Sequence, residues 1–444
     1  MSADKKIHII TGGTVSHINP HLSLGGRAYG RTGAHLAALC AVEMPNLDVV
    51  LHRTRMAGGA ELETNADVAA LIADLKQRAD TKIIFMPVSL CDFDVVTAFA
   101  YPGEGVTEVV DVGKEAPRFS SQKHYELQLV PAPKIIKHVR EGRKDIFLVG
   151  FKTTSGATAD EQYLAGLQLL KEGSCNLVLA NDSKTRLNMV ITPEEARYHV
   201  TTNRREALRG FVEMAQLRSH LTFTRSTVVA GEPVPWASEL VPTTLRDVVN
   251  YCIAQKAYKP FAGATVGHFA VKLSAQEFLT SRRKTNFNDL DTIGLVKIRT
   301  DGPDTVIAYG SKPSVGGQSQ RIVFAEHPAY DCIVHFHCPI KPGSKVPIVS
   351  QREYECGSHE CGRNTSRGLA TFGAFWPQPQ AGGPPPGLTI KRYHEWGAVY
   401  LDEHGPNIVF HHSIDPTIIT QFIHDNFELG QKTGGYVTLP AMAS

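Results

Sequence analysis

Lys6-Ile7-His8-Ile9-Ile10-Thr11-Gly12-Gly13-Thr14 reads as a short β-branched strand that breaks at a glycine pair. A second glycine-rich stretch, Gly25-Gly26-Arg27-Ala28-Tyr29-Gly30-Arg31-Thr32-Gly33, leads into a helix predicted over 34–42, and a strand follows at 47–51. Val68, Leu71, Ile72 and Leu75 recur at helical spacing within 65–78. Strands at 82–88, 146–151 and 176–180, with a helix at 160–171 between the last two, extend the alternation. Apolar strands separated by helices predict a parallel α/β sheet covered on both faces. Ligands of such sheets lie beyond the carboxyl ends of the strands. Residues 12–13, 89–92, 152–154 and 181–182 all fall there.

Beyond this block the pattern changes. The stretch 224–241 holds Gly231, Pro233 and Pro235 with little periodicity. A second unit then opens with a helix over 244–257 and becomes strand-rich. Its proline-rich stretch 375–387 is a loop, because so many prolines cannot donate to a ladder. A helix over 416–429 comes last. The expected division is a domain over 1–225, a linker over 226–242 and a domain over 243–444. A length of 444 residues fits two or three domains at roughly 100–200 residues each. Hydrophobic residues at 42% and charged residues at 20% exclude a largely disordered chain. A net charge of +2 argues against a nucleic-acid or anionic-membrane partner. No run approaches the roughly 18 apolar residues of a membrane span, and the start, MSADKKIHIITGG, lacks a signal-peptide core. Eight cysteines in so long a chain are expected to be reduced thiols in the cytoplasm.

Gly12-Gly13 and Gly30–Gly33 either let backbone N–H groups approach a phosphate or serve as tight strand-to-helix turns. In combination the motifs say more. IITGGT, a G-x-x-G helix start, a strand ending near Asp92, LQLVPAPKII, LVGFKTTS and LVLAND follow one another in this order. Over about residues 5–215 this resembles the phosphopantothenoylcysteine synthetase family, the ligase step of coenzyme A biosynthesis. The resemblance implies a Rossmann-like domain, usually dimeric, that activates a carboxylate with CTP or ATP and magnesium and couples it to an amine. It implies nucleotide contacts at Gly12, Gly13, Thr14, Gly30, Arg31, Thr32, Gly33, Asp92, Phe151, Lys152, Asn181 and Asp182. Two positions depart from the family. Gly26 stands where the family has an asparagine that handles the acyl intermediate. Arg118 stands where it has a lysine, with Lys123 further along. A guanidinium still stabilises phosphoryl charge, as a planar fork rather than a point charge.

In the second half, Asp331-Cys332-Ile333-Val334-His335-Phe336-His337-Cys338-Pro339 is an apolar run that reads as a strand. Alternation puts His335 and His337 on one face, about 7 Å apart along the backbone. Two such imidazoles either hold one divalent metal or are ordinary histidines beside a turn. FAGATVGHFAVKL, FLTSRRKTNFNDL, GSKPSV, HPAYDCIVHFHCPI and EYECGSHECGRNT together resemble the class II aldolase/adducin family. The likeness covers about residues 244–412. It implies an α/β domain, zinc at His335 and His337, small sugar-phosphate substrates and, usually, cyclic tetramers. The third metal histidine follows a strand, here 388–392, which points to His394. The family has histidine directly before glycine, whereas Trp396 precedes Gly397, so His411 or His412 is the fallback. The phosphate turns of the family fall on His268, on Thr280, Ser281 and Arg282, and on Ser314. The family's acid/base glutamate falls on Gly316, which moves no proton; Glu355 or Glu395 is the substitute. The Cys356–Cys361 stretch has two thiols and a histidine but no second half of a zinc site.

The resulting expectation is a two-domain, possibly bifunctional enzyme. Its first half activates a carboxylate or phosphorylated small molecule with a nucleotide. Its second half is a divalent-metal lyase of aldolase or dehydratase type, acting on a small anionic carbonyl or sugar-phosphate-like compound. The chain is expected to be a homo-oligomer, dimer or tetramer. The alternative is that one or both halves are inactive, serving as a nucleotide-binding or oligomerisation module.

Overall fold

Ile7, Ile9 and Ile10 carry the first strand, β1 (Lys6–Gly13), into the centre of a sheet, where all three are fully buried. The structure is a computed structural model that describes residues 5–103, 106–121, 123–261, 263–375 and 396–430. It divides into two compact units, Met1–Thr192 with Tyr198–Ser219, and Pro193–Arg197 with His220–Ser444.

In the first unit, α1 (Arg31–Glu43), β2 (Asp48–Arg53), α2 (Asn65–Gln77) and β3 (Thr81–Phe85) follow β1. After an excursion come β4 (Phe147–Thr154), α3 (Ala159–Gly173) and β5 (Leu177–Asp182). These five strands are parallel, in the order β2-β1-β3-β4-β5. The edge continues through antiparallel β6 (Asn188–Ile191) and then β7 (Arg197–Thr201), before α4 (Arg204–Arg218). Helices α1 and α4 cover Ile7, Ile9, Ile83, Phe85, Val149, Leu177 and Leu179. Helix α3 packs the opposite face so closely that a Cβ on Gly166 would lie 2.4 Å from Ile191. The winding of the chain across the sheet reverses between β1 and β3, the place where open α/β sheets take ligands at their strands' carboxyl ends. Both α2 and α3 begin with capping boxes, Thr64 with Asp67 and Thr158 with Glu161. The excursion is an antiparallel sheet of Phe93–Gly103, Val106–Val110 and His124–Pro131, which the sequence pattern did not announce.

The expected linker over 226–242 begins inside a strand. β8 (Arg225–Val229) pairs in parallel with a strand of the second unit, because Thr227, Val228 and Val229 form a β-branched run before the prolines start. After α5 (Thr243–Ala254) come β9 (His268–Lys272), β10 (Glu277–Thr280), β11 (Val296–Thr300), β12 (Thr305–Tyr309) and α6 (Gly316–Glu326). Then follow β13 (Cys332–His335), β14 (Ile348–Val349), α7 (His359–Phe375), β15 (Trp396–Leu401), β16 (Gly405–Phe410) and α8 (Pro416–Asn426). The sheet order is β8-β12-β11-β10-β9-β13-β16-β15-β14, mostly antiparallel. One face packs Phe269, Val271, Val334 and Phe410 against α5 and α8. The other packs Ala270, Ile333 and Val409 against α6 and α7. The fold class is thus α/β in both units. All eight cysteines are thiols. Among the described residues no helix is long and apolar enough to cross a membrane.

Candidate functional site

The β-branched core of β13 sets His335 at its end. There it pairs with His268 of β9 on one side and Asn407 of β16 on the other. The strand stops at His335, and His337 lies two residues beyond, its ring 5.0 Å from that of His335. The third histidine is His404, in the turn between β15 and β16. Glu403 (φ +56°) and Gly405 (φ +146°) form this turn. A Cβ on Gly405 would lie 2.2 Å from the Phe336 carbonyl, so only glycine lets the turn pass. His404 then faces His335 and His337 with ring centroids 4.5 and 4.7 Å away.

One ligand atom from each of His335, His337 and His404 lies within 4.8 Å of the others. His335 Nδ1 donates to the Pro406 carbonyl at 2.7 Å, which leaves its Nε2 lone pair for a cation. That Nε2 lies 3.2 Å from His404 Nε2. Two ligands at about 2.1 Å from a tetrahedral zinc stand about 3.4 Å apart, so the residues present fit a divalent ion. Burial, then His404, His268 and His337, holds the His335 imidazole well below its ordinary pKa. Burial, with His337, pushes His268 down to about 3. Both rings are therefore neutral at pH 7, the state a metal ligand requires.

His404 completes a histidine triad with His335 and His337, in a place other than the expected His394. His394 and Glu395 lie outside the described residues. The fallback pair His411 and His412 sits at the far end of β16, where Asp331 accepts from the His412 backbone N–H at 2.8 Å and from its ring. The length of the strand separates that pair from the triad. The signal for His404 was present in the sequence: His404-Gly405 has the family's order of histidine before glycine, between two apolar runs.

Gly316 stands where the family's glutamate is absent, and the structure shows why no side chain enters. A Cβ there would lie 2.0 Å from the His268 ring. His268 is held by Gln320, whose amide oxygen accepts from Thr280 Oγ1 at 3.3 Å. Ser281 is fully buried, and its hydroxyl has no hydrogen-bond partner among the described residues. Arg282 donates to the Ile293 carbonyl at 2.9 Å, and Ser314 N–H to the Ser281 carbonyl at 2.9 Å. Glu355 is buried in the turn before α7. A carboxylate that sequence reasoning missed reaches the triad: Glu195 Oε2 lies 3.3 Å from His337 Nδ1. Its segment, ITPEEARY, reads as a polar hairpin tip, and nothing in its pattern marks Glu195 as buried.

In the first unit the candidates have separate fates. Gly12 and Gly13 end β1 at the crevice, yet a Cβ on Gly12 would lie 2.0 Å from Thr54 Oγ1. Gly30 (φ +80°) starts α1, whose Arg31 and Thr32 flank Gly33, packed against Thr11. Thr14 Oγ1 bonds Asn65 at 2.6 Å and accepts from the Cys91 N–H at 2.8 Å. Asp92 is exposed and pairs with Lys134 at 2.9 Å. Phe151 packs edge-on to Phe211, and Asn181 accepts from Thr153. Lys152 lies half-buried near the end of β4. Asp182 ends β5 and is buried. Its carboxylate takes the backbone N–H groups of Gly156, Ala157, Lys184 and Thr185 and the Thr154 hydroxyl. It ties the ends of β4 and β5 together. Arg118 is exposed, and Lys123 pairs with Glu108 at 2.7 Å in the antiparallel excursion.

No protein-family model matches the chain. Over 180 residues it is 26% identical to the coenzyme A biosynthesis bifunctional protein CoaBC of Thermococcus kodakarensis. The match covers 40% of this chain and 42% of that relative, so the chain spans less than half of its length. A DNA/pantothenate metabolism flavoprotein from Streptococcus pneumoniae superposes with a TM-score of 0.36 at 19% identity, covering 47% of this chain and 96% of that one. An L-fuculose 1-phosphate aldolase does so with a TM-score of 0.29 at 15% identity, covering 43% and 84%. By their motifs, the first half of the chain resembles the phosphopantothenoylcysteine synthetase family and the second half the class II aldolases.

Proposed function

We propose that the second unit is a divalent-metal-dependent lyase of aldolase or dehydratase type for a small anionic carbonyl or sugar-phosphate-like substrate. The observation that supports this is the buried triad of His335, His337 and His404. A bound divalent ion, zinc being the best match to three imidazoles, supplies Lewis acidity toward a carbonyl oxygen. The chain's own residues do the rest. The Pro406 carbonyl keeps His335 in one tautomer, and burial keeps water from competing for the three nitrogens. Gln320, donating to His268 Nδ1, leaves His268 Nε2 as an N–H donor. Thr280, Ser281, Arg282 and Ser314 form the anion-side candidates. With no proton carrier at Gly316, acid/base work falls to another carboxylate, and Glu355 or Glu395 takes that role.

For the first unit the proposal is CTP or ATP binding with magnesium in the crevice beyond β1 and β3, for activation of a carboxylate or phosphorylated compound. A homo-oligomer in the cytoplasm, acting on small molecules without nucleic acid or membrane partners, completes this reading. The test begins with metal content of the purified full chain. About one ion per chain is expected, lost in His335→Ala and in His404→Ala. Retention of the ion in both variants would sink the metal-centre reading. Turnover on a panel of phosphorylated hydroxy-carbonyl compounds, abolished by the same variants, then separates a lyase from a bound but idle metal. Pyrophosphate or phosphate release with CTP and ATP across acids and amines tests the first unit.

A second reading is favoured by one observation. The space beside Gly316 is filled by His268, and the glycines at 12 and 33 are accounted for by packing. On that reading one or both units bind without turning over.

A further inference from the structure

The segment Pro193–Arg197 joins β6 to β7 and includes the first residue of β7, yet it clusters with the second unit. Two carboxylates anchor it there. Glu194 accepts from the backbone N–H of Cys356, just before α7. Glu195 adopts the left-handed region, φ +74°, a conformation uncommon for a residue with a Cβ. Its side chain is 4% exposed, and its Oε2 lies 3.3 Å from Nδ1 of His337, itself 9% exposed on the side chain. A carboxylate is costly to bury, and an unusual backbone conformation adds to that cost. Together they place a negative charge against one imidazole of the triad.

We propose that Glu195 is the positioning residue of the metal centre. It accepts the Nδ1–H of His337 and fixes the tautomer that leaves Nε2 as the ligand atom. This rests on the reading of His335, His337 and His404 as metal ligands. The chemistry is that of a metal-bound histidine whose far nitrogen donates to a carboxylate, an arrangement whose loss weakens metal binding about 10- to 100-fold. His335 has its own orienting acceptor in the Pro406 carbonyl. A charged acceptor is the stronger of the two kinds.

The experiment titrates the metal-depleted full chain with Zn²⁺ against a chromophoric chelator and with Co²⁺ read by its visible absorption. The variants are His335→Ala, Glu195→Ala and the isosteric Glu195→Gln. Zinc affinity is expected to fall about 10- to 100-fold in Glu195→Ala. A smaller fall is expected in Glu195→Gln, whose amide oxygen still accepts but carries no charge. The Co²⁺ band is expected to shift in both, which a merely structural loss would not cause. If Glu195→Ala does not fold, the Gln variant carries the test. If His335→Ala binds zinc as tightly as the unmodified chain, the metal-centre reading fails. If His335→Ala loses zinc while both Glu195 variants keep it within about twofold and leave the Co²⁺ band in place, the metal centre stands and the role of Glu195 is overturned.

Discussion

A single missing side chain shapes the candidate site more than any that is present. Gly316 opens α6 where the family pattern has a glutamate, and the His268 ring fills the space a Cβ would need, at 2.0 Å. His268 cannot easily yield, because Gln320 holds its Nδ1 and its ring lies 4.7 Å from that of His335. The histidine at 268 and the glycine at 316 thus share one space. Gly316→Ala is expected to lose about 1–3 kcal/mol of stability, the usual cost of overpacking. His268→Asn should relieve most of that loss. Chemical denaturation of the two single variants and the double variant measures it as a coupling energy above about 1 kcal/mol. Additive single effects would mean that the two residues do not share the space. The position of His404 belongs to the same scale. Its place before Gly405 was legible in the sequence, but its nearness to His335 depends on a turn with two positive-φ residues, which the sequence does not display.

At the scale of elements, the parallel strands were legible because buried strands are short apolar runs and their helices carry a different period. The expected bounds at 47–51, 65–78 and 176–180 lie within a few residues of β2, α2 and β5. The antiparallel excursion and β8 were not legible, since partly exposed strands alternate weakly. Asp182 shows what an element end can hold beyond what a motif displays: the carboxylate of LVLAND joins the ends of β4 and β5. Burial lifts the pKa of Asp182, but the backbone N–H groups of Thr185, Gly156 and Ala157 and the Thr154 hydroxyl outweigh this and hold it far below its ordinary 3.8. A carboxylate depressed in the folded state contributes stability that is full above the unfolded value, about 3.9, and is lost as pH falls through the folded value. Asp182→Asn is therefore expected to lower the thermal midpoint at pH 7. It should also flatten the decline between about pH 4 and pH 2. An unchanged acid decline in that variant would show that other carboxylates govern it.

For the whole molecule, the boundary between units crosses the chain three times, because four residues of a hairpin loop and the first residue of β7 belong with the second unit while the rest of its strands belong with the first. Sequence reading places a boundary where composition changes, which sets a first domain over 1–225, whereas the crossings around Pro193–Arg197 carry no change of composition. Those five residues carry Glu195, which makes their membership measurable. A ligand that binds only the folded state stabilises it by RT ln(1 + [L]/Kd), about 4 kcal/mol at a thousandfold excess over Kd. Hydrogen exchange slows in the segments whose opening would release that ligand. Adding Zn²⁺ to the metal-depleted full chain is therefore expected to slow exchange in β13, in the turn that carries His404, and in Pro193–Arg197. Exchange in β5 and β6 should stay as it was, although β6 ends two residues before the hairpin tip. If Pro193–Arg197 instead follows β6 and ignores the metal, these residues belong energetically to the first unit. The contact of Glu195 with His337 would then not respond to what the triad holds.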